Sequence, residues 1–166
     1  EEGPLHRTSK HHLFIFWGFL VISVATVDII VSGVVPGLSL RLLPDVLYNP
    51  LYFAIDVMNL VVLLMILWAV ARRTLVRPKL IPWSLDAGLI LGAIGSLMVT
   101  HFLYHGYHGA LRLAAGEPLV AGTVVSNVVA GWLDPIAADA ASRGATLAYW
   151  CHVVIIFTFL NYLPYS

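Results

Sequence analysis

The stretch that decides the fold is LDAGLILGAIGSLMVTHFLYHGYH, residues 85–108. Its first part, residues 85–99, is almost wholly apolar, and a membrane-spanning α-helix needs about 20 predominantly apolar residues. The stretch therefore predicts a spanning helix. It closes on His101, His105 and His108, whose i, i+4 and i+7 spacing places them on one helical face. Because ionisable residues are costly in hydrocarbon, this face is a candidate functional site.

The composition of the whole chain supports a membrane protein. The 166 residues are 60% hydrophobic and only 11% charged, whereas soluble domains carry about 25% charged residues. The formal net charge is +0, and no basic block interleaved with aromatic residues occurs, so nucleic acid is not an expected partner. The single cysteine, Cys151, excludes an intrachain disulfide framework and any cysteine-ligated zinc or iron–sulfur site built from this chain alone.

Four apolar segments are long enough to cross a bilayer. They run from about 12 to 35, stopping at Pro36-Gly37, from 51 to 71, stopping at Arg72-Arg73, from 84 to 107, and from 145 to 163, and the last helix could begin as early as Pro135. The segment LVAGTVVSNVVAGWL, residues 119–133, is apolar but too short, which predicts a helix in the interface or folded against the bundle. We expect an all-α integral membrane bundle over 12–166, preceded by a cytoplasmic basic flank over 1–11, as a piece of a longer protein.

Lysine and arginine in the short flanks predict the orientation of the bundle. One side holds six of them: Arg7, Lys10, Arg72, Arg73, Arg77 and Lys79. The other side holds three: Arg41, Arg112 and Arg143. We therefore expect a multi-pass protein of the cell membrane, with the N-terminus and the 72–83 loop in the cytoplasm.

Two intramembrane histidines lie at the same predicted depth. At about 1.5 Å per residue, His101 and His152 each lie roughly 10 Å below the outer edge of their spans. Two imidazoles on different helices at one depth are what a bis-histidine haem requires, since the iron takes one from each side. His101 is chosen over His105 from depth alone. His12, at the inner edge of the first span, is a further candidate ligand.

The histidines could also have structural or metal-binding roles. His101 could make a helix–helix hydrogen bond, and His105 and His108 could be polar anchors near the outer surface. His101 and His105 also have the His-x-x-x-His spacing of transition-metal sites. A metal-transport bundle is disfavoured because four spans without an inverted repeat make a poor alternating-access carrier.

Two aspartates lie in the outer part of the first two spans. Carboxylates in apolar surroundings can exchange protons near neutrality, so Asp28, Asp56 and His105, with Tyr52, are predicted to form a quinone and proton site. The alternatives are that Asp28 bonds a neighbouring helix and that Asp56 forms an ion pair with Arg41 or Arg112.

Three segments resemble a known family: HHLFIFWGFLVI (11–22), RPKLIPWSLDAGLILGAIGSLMVTHFL (77–103) and HVVIIFTFLNYLPYS (152–166). They resemble the membrane domain of iron–sulfur oxidoreductases that join a haem-b module, like the nitrate reductase gamma subunit, to a domain related to heterodisulfide reductase. The most similar group is the electron-transfer-flavoprotein:menaquinone oxidoreductase type. The resemblance implies a quinone-linked enzyme that passes electrons between a cytoplasmic iron–sulfur domain or flavoprotein and menaquinone.

The resemblance also implies haem ligands. In the family, one helix supplies a histidine to each of two haems; His152 matches the first, and the second would fall just beyond Ser166. His12, five residues before Trp17, matches the ligand of the inner haem. The place of the next family histidine on that helix is Ile22 here, which makes His101 the substitute.

The resemblance implies one or two b haems in the bundle, with iron–sulfur clusters only in a part absent from this chain. Two further functions remain compatible with the sequence. One is a quinol-oxidising cytochrome-b subunit of another reductase, and the other is a cofactor-free membrane anchor or metal-transport bundle.

Overall fold

The computed structural model describes residues 5–76 and 84–165, apart from the side chains of residues 5–16 and Phe19. Within those ranges the chain forms helices and no strands, which confirms the all-α prediction. The five α-helices are α1 (Leu5–Val34), α2 (Asp45–Ala71), α3 (Leu85–Ala114), α4 (Val124–Leu133) and α5 (Ala138–Tyr162). A short 3₁₀ helix, Leu40–Leu42, lies between α1 and α2.

Three helical segments are long and apolar enough to span a membrane: Asp45–Leu75, Leu85–Ala114 and Ala138–Tyr165. They correspond to the second, third and fourth predicted spans. For the first span, the apolar helical segment with described side chains is Leu20–Val34. This segment is shorter than a full span because the side chains of residues 12–16 and 19, at the inner end of the predicted span, lie outside the described residues, as do those of the basic flank before them.

The boundaries of the first two helices follow local chemistry. As predicted from Pro36-Gly37, α1 ends at Val34, and Gly37 adopts the positive φ of 88° that favours glycine. The predicted start of α2 at Leu51 is wrong, because the helix begins at Asp45 and contains Pro50. Proline near a helix start removes only one backbone hydrogen bond, and an acidic residue stabilises the first turn.

The second helix ends where it was expected to, because α2 stops at Ala71, and the chain continues from there as a π-helical turn, Arg72–Val76. There the Thr74 hydroxyl donates to the carbonyl of Val70 at 2.9 Å. The third helix begins at its predicted place, where Ser84 accepts a hydrogen bond from the N–H of Ala87 at 3.1 Å. It runs past Tyr107 to Ala114. The helix ends there because Gly116, two residues further on, adopts a positive φ of 73°, a conformation that terminates helices.

The distribution of polar and apolar side chains is the reverse of that in a soluble domain. The largest fully buried side chains include several polar ones: Tyr52, Asp56, Asn59, Ser126 and His152. Large apolar side chains are exposed instead: Trp68, Leu85, Trp132, Trp150, Val154 and Phe157. A surface of this kind suits a lipid environment, in which polar groups face the interior of the bundle.

The helix α3 is central, since it packs against α2, α4 and α5. The 119–133 segment forms α4, which folds against α3 and so follows the second of the two predicted arrangements. Contact between the two is close: a Cβ added at Gly109 would lie 2.6 Å from the Cβ of Ala130. A glycine is therefore required at this crossing.

The start of α4 is capped by a side chain from another helix. Its own N-cap residue, Thr123, makes no side-chain cap. Asp56 of α2 instead accepts hydrogen bonds from the N–H groups of Val125 and Ser126 and from the Ser126 hydroxyl. This carboxylate is fully buried and satisfies donors that a helix start leaves without partners.

The predicted alternative of an ion pair between Asp56 and an arginine is wrong. Arg112 pairs with Glu117 at 3.3 Å, and the Arg41 guanidinium lies over the ring of Tyr48, 4.9 Å from its centroid. Asp56 is instead satisfied by backbone amides and one hydroxyl, because the buried start of α4 offers them at close range.

Replacing Gly109 by alanine should separate α3 from α4. The new methyl group would meet Ala130, whose side chain has no rotamer to escape into, so we expect a loss of about 1–3 kcal/mol. The thermal midpoint of the detergent-purified protein measures this loss. Gly92→Ala is the matched control on the same helix, where an added Cβ meets nothing within 4 Å. An equal effect of both substitutions would contradict the packing described.

Replacing Asp56 by alanine should loosen α4, because it leaves the buried first N–H groups of that helix without an acceptor. We expect a loss of about 2 kcal/mol of stability, seen as a lower thermal midpoint and faster amide exchange at residues 124–127. The control is Asp139→Ala, since Asp139 forms only an exposed i,i+4 pair with Arg143 and such pairs contribute little. Unchanged exchange in the Asp56 variant would refute the cap.

Candidate functional site

The two histidines expected at one depth are both buried inside the bundle. His101 of α3 is 2% exposed and His152 of α5 is 1% exposed. Their helices pack along one another. His152 lies close enough to His101 and to His105 for a charge on one ring to act on the others. The structure therefore brings together the three histidines that the sequence analysis proposed for the outer half of the bundle.

The ring of His152 is oriented by a hydrogen bond from its own helix to α3. Its Nδ1 atom lies 2.9 Å from Thr100 Oγ1. The same hydroxyl donates within α3 to the carbonyls of Ser96 and Leu97, at 2.9 and 3.1 Å. When the hydroxyl donates to either of these carbonyls, its one hydrogen is used, and the bond between the helices is then His152 Nδ1–H donating to the threonine oxygen.

In that tautomer the other ring nitrogen of His152, Nε2, carries the lone pair. This Nε2 atom is buried and has no hydrogen-bond partner among the described residues. A neutral imidazole whose Nδ1–H is held by a protein oxygen and whose Nε2 is free is the form that ligates metals. Since a buried polar atom without a partner costs free energy, the arrangement fits an axial ligand of haem iron.

His105 lies one turn from His101, with the ring centroids 4.6 Å apart. Its Nε2 atom is also buried without a partner in the described part of the chain, although the whole side chain is only partly buried. The ring contacts Tyr52 and Tyr104 edge to face, with centroids 5.5 and 5.2 Å apart. His105 is therefore a second histidine with a ring nitrogen available to ligate iron. Apart from depth, the sequence pattern did not distinguish His105 from His101 as a ligand.

The remaining histidine of the opening motif lies at the surface. His108 is exposed and packs against Tyr104 with a centroid distance of 4.6 Å. His12 is part of α1, but its side chain lies outside the described residues, so its predicted role as a ligand stays a prediction.

Asp28 of α1 holds together three parts of the bundle. Its carboxylate accepts the N–H of Leu40 at 2.7 Å, the hydroxyl of Ser39 at 3.4 Å and the hydroxyl of Tyr52. These bonds join α1 to the 3₁₀ helix and to α2. They agree with the alternative prediction that Asp28 bonds a neighbouring helix. The carboxylate is 8% exposed.

A bare metal ion has no ready-made site in residues 17–76 and 84–165, where no three His, Cys, Asp or Glu side chains group closely enough to hold one. Haem needs fewer protein ligands, because the porphyrin supplies four and the protein adds one on each face. Two histidines therefore supply the number of protein ligands that a bis-histidine haem takes and fewer than a free transition-metal ion needs.

Sequence reasoning missed Thr100 as a site residue. Thr100 is 8% exposed and lies beside His101, directly after the apolar run of α3. A hydroxyl residue in such a helix indicates a possible bond between helices, but its partner is 52 positions away in the sequence. The local pattern could therefore have indicated Thr100 but could not have identified His152 as the group it orients.

Comparison with known proteins finds one distant similarity. Over 161 residues the chain is 29% identical to the probable iron–sulfur-binding oxidoreductase FadF of Bacillus subtilis (strain 168). The aligned region covers 93% of this chain and 21% of that protein, so the chain spans only a small part of its relative's length. No protein-family model matches the chain, and no solved structure matches it.

Proposed function

We propose that this chain is a membrane haem-b domain that passes electrons between a cytoplasmic iron–sulfur or flavoprotein partner and menaquinone. The observation that carries the proposal is the buried, unpartnered Nε2 of His152, in a ring whose Nδ1 lies 2.9 Å from the Thr100 hydroxyl. The proposed setting is the cell membrane, with the N-terminus and the 72–83 loop on the cytoplasmic side. The haem would supply one-electron transfer between the two partners.

We assign the axial positions to His152 of α5 and His101 of α3. Both side chains are buried, and each comes from a different one of two packed helices, as ligation from two faces requires. Thr100 orients the ring of His152, and the apolar exterior of the bundle excludes water from the site. The proposal also assigns His12 to a second haem nearer the cytoplasmic side, with its other ligand in a segment outside this chain.

The similarity to a protein named as an iron–sulfur-binding oxidoreductase supports an electron-transfer role. This chain has one cysteine, Cys151, which is exposed, so clusters would be held elsewhere in a longer protein or in a partner. Menaquinone and electron-transfer flavoprotein enter the proposal from the resemblance of the histidine-bearing segments.

The quinone and proton role predicted for Asp28, Asp56 and His105 stays a prediction. The Asp56 carboxylate is engaged by the start of α4, which favours a structural role. Asp28 bonds three groups but also lines a groove of mainly aliphatic side chains from α1 and the chain that follows it, and His105 has a free ring nitrogen. These two residues are therefore the better candidates for contact with a quinone.

Replacing His152 by alanine should abolish binding of the haem that it ligates, because the remaining axial histidine cannot hold the iron from both sides. We expect loss of a low-spin b-type absorption spectrum in protein that still inserts and remains helical. His108→Ala is the control, since that histidine is exposed at the end of the same cluster. Full haem content in the His152 variant would refute the assignment.

The same measurement on two further variants identifies the opposite ligand. His101→Ala should lose the haem as the His152 variant does, whereas His105→Ala should retain it. The reverse result would move the second axial position one turn along α3 and leave the role of His152 unchanged.

Replacing Thr100 by valine should weaken haem binding without removing a ligand. Loss of a bond that orients a ligating histidine typically lowers metal affinity about 10- to 100-fold. The imidazole also becomes a poorer electron donor, so the midpoint potential of the haem should rise. Potentiometric titration and haem content after purification measure both effects, and Thr100→Ser should restore them because it keeps the hydroxyl. A valine variant with unchanged potential and affinity would contradict this role.

A further inference from the structure

A groove lies between α1 and the chain that leads from α1 to α2. Its volume is about 550 Å³, within the range of roughly 300–1,000 Å³ typical of small-molecule sites. The lining is mainly aliphatic: Leu20, Val24, Val27, Val31, Leu38 and Leu42. Val27 is 58% exposed, so the groove is open on the surface that would face lipid.

One charged side chain lines this groove, namely Asp28. A carboxylate offers about four lone-pair sites, and three donors already bond this one: Leu40 N–H, Ser39 Oγ and Tyr52 Oη. Acceptor capacity therefore remains at the edge of an apolar groove. Covering a carboxylate with hydrocarbon alone costs free energy, so the lining favours a molecule that is apolar but carries a hydrogen-bond donor at one end.

The polar end of the groove is connected to the histidine cluster by contacting side chains. Tyr52 donates to Asp28, and the Tyr52 ring lies edge-on to His105 with the centroids 5.5 Å apart. His105 in turn contacts His101, at 4.6 Å between centroids. A molecule whose head group sits at Asp28 would therefore be separated from the proposed ligand His101 by two aromatic side chains.

We propose that this groove binds the ring of an isoprenoid quinol, with one ring hydroxyl donating to the Asp28 carboxylate and the tail leaving along the apolar face of α1. The inference rests on the proposed function, because it names the place where the quinol of that reaction is held. A lipid acyl chain fits the aliphatic lining equally well but leaves the free acceptor capacity of Asp28 unsatisfied.

The test uses the full-length natural protein, purified in detergent with its cofactors. An azido-naphthoquinone with a short prenyl tail is the probe: it is photolysed after reduction, and the labelled peptides are identified by mass spectrometry. We expect label within residues 20–31 and 38–43. Val27→Trp should reduce this labelling about tenfold by filling the groove, and Asp28→Asn should weaken binding of the reduced probe about tenfold by removing a charged acceptor.

The matched control is Val154→Trp, because Val154 is 60% exposed on α5 and lies outside the groove lining. It should leave labelling unchanged. Label located elsewhere, no label, or equal labelling of wild type and the Val27 variant would each overturn the proposed site.

Haem content, measured on the same samples, separates this proposal from the proposed function. If haem is present and the label lies outside the groove, the proposed quinol site is refuted and the proposed function is not. Haem absent with label inside it refutes the electron-transfer assignment and leaves a quinol-binding bundle. Correct folding of the Asp28→Asn variant is checked by its thermal midpoint, and the Val27 variant, which leaves the Asp28 bonds intact, provides the independent result.

Discussion

The fold depends on one constraint: a polar group that is removed from water must find its hydrogen bonds inside the bundle. The apolar exterior provides little force between helices, since lipid tails are as apolar as leucine. Buried polar side chains instead define which helices meet. Asp28 ties α1 to α2, Asp56 ties α2 to the start of α4, and Thr100 ties α3 to α5. These three contacts link α1, α2 and α4 into one group and α3 and α5 into another, and the close glycine packing of α3 against α4 joins the two groups.

The same constraint makes its exceptions informative. Among the described residues three buried side-chain atoms have no hydrogen-bond partner, namely Asn59 Oδ1 and the Nε2 atoms of His105 and His152, and the two nitrogens are the atoms that can ligate iron. A purely structural histidine would lose stability from such an atom, whereas an iron ligand needs it. The site and the scaffold therefore follow from one rule: hydrogen bonds hold the bundle, and an unsatisfied nitrogen between α3 and α5 is left for a cofactor. The groove beside Asp28 extends this logic to an amphipathic partner from the lipid phase.

Much of the fold could be predicted from the sequence, because hydropathy and local breakers are local signals. Pro36-Gly37 marked the end of α1 and Ser84 marked the start of α3, and both agree with the structure. The burial of His101 and His152 also followed from their position inside apolar runs. The α4 cap and the Thr100 contact could not be predicted, because Asp56 and Ser126 are 70 residues apart and the threonine and its histidine are 52 apart. Contacts at such separations depend on how the helices pack, which periodicity does not specify.

Binding of b-type haem by histidines of α3 and α5 is tested by a dithionite-reduced minus oxidised absorption spectrum of the purified wild-type protein, with a pyridine haemochrome assay to count haem per chain. We expect a low-spin b-type spectrum and one or two haems per chain. A folded, helical protein without haem would contradict it, and the buried histidines would then be polar contacts within a membrane anchor.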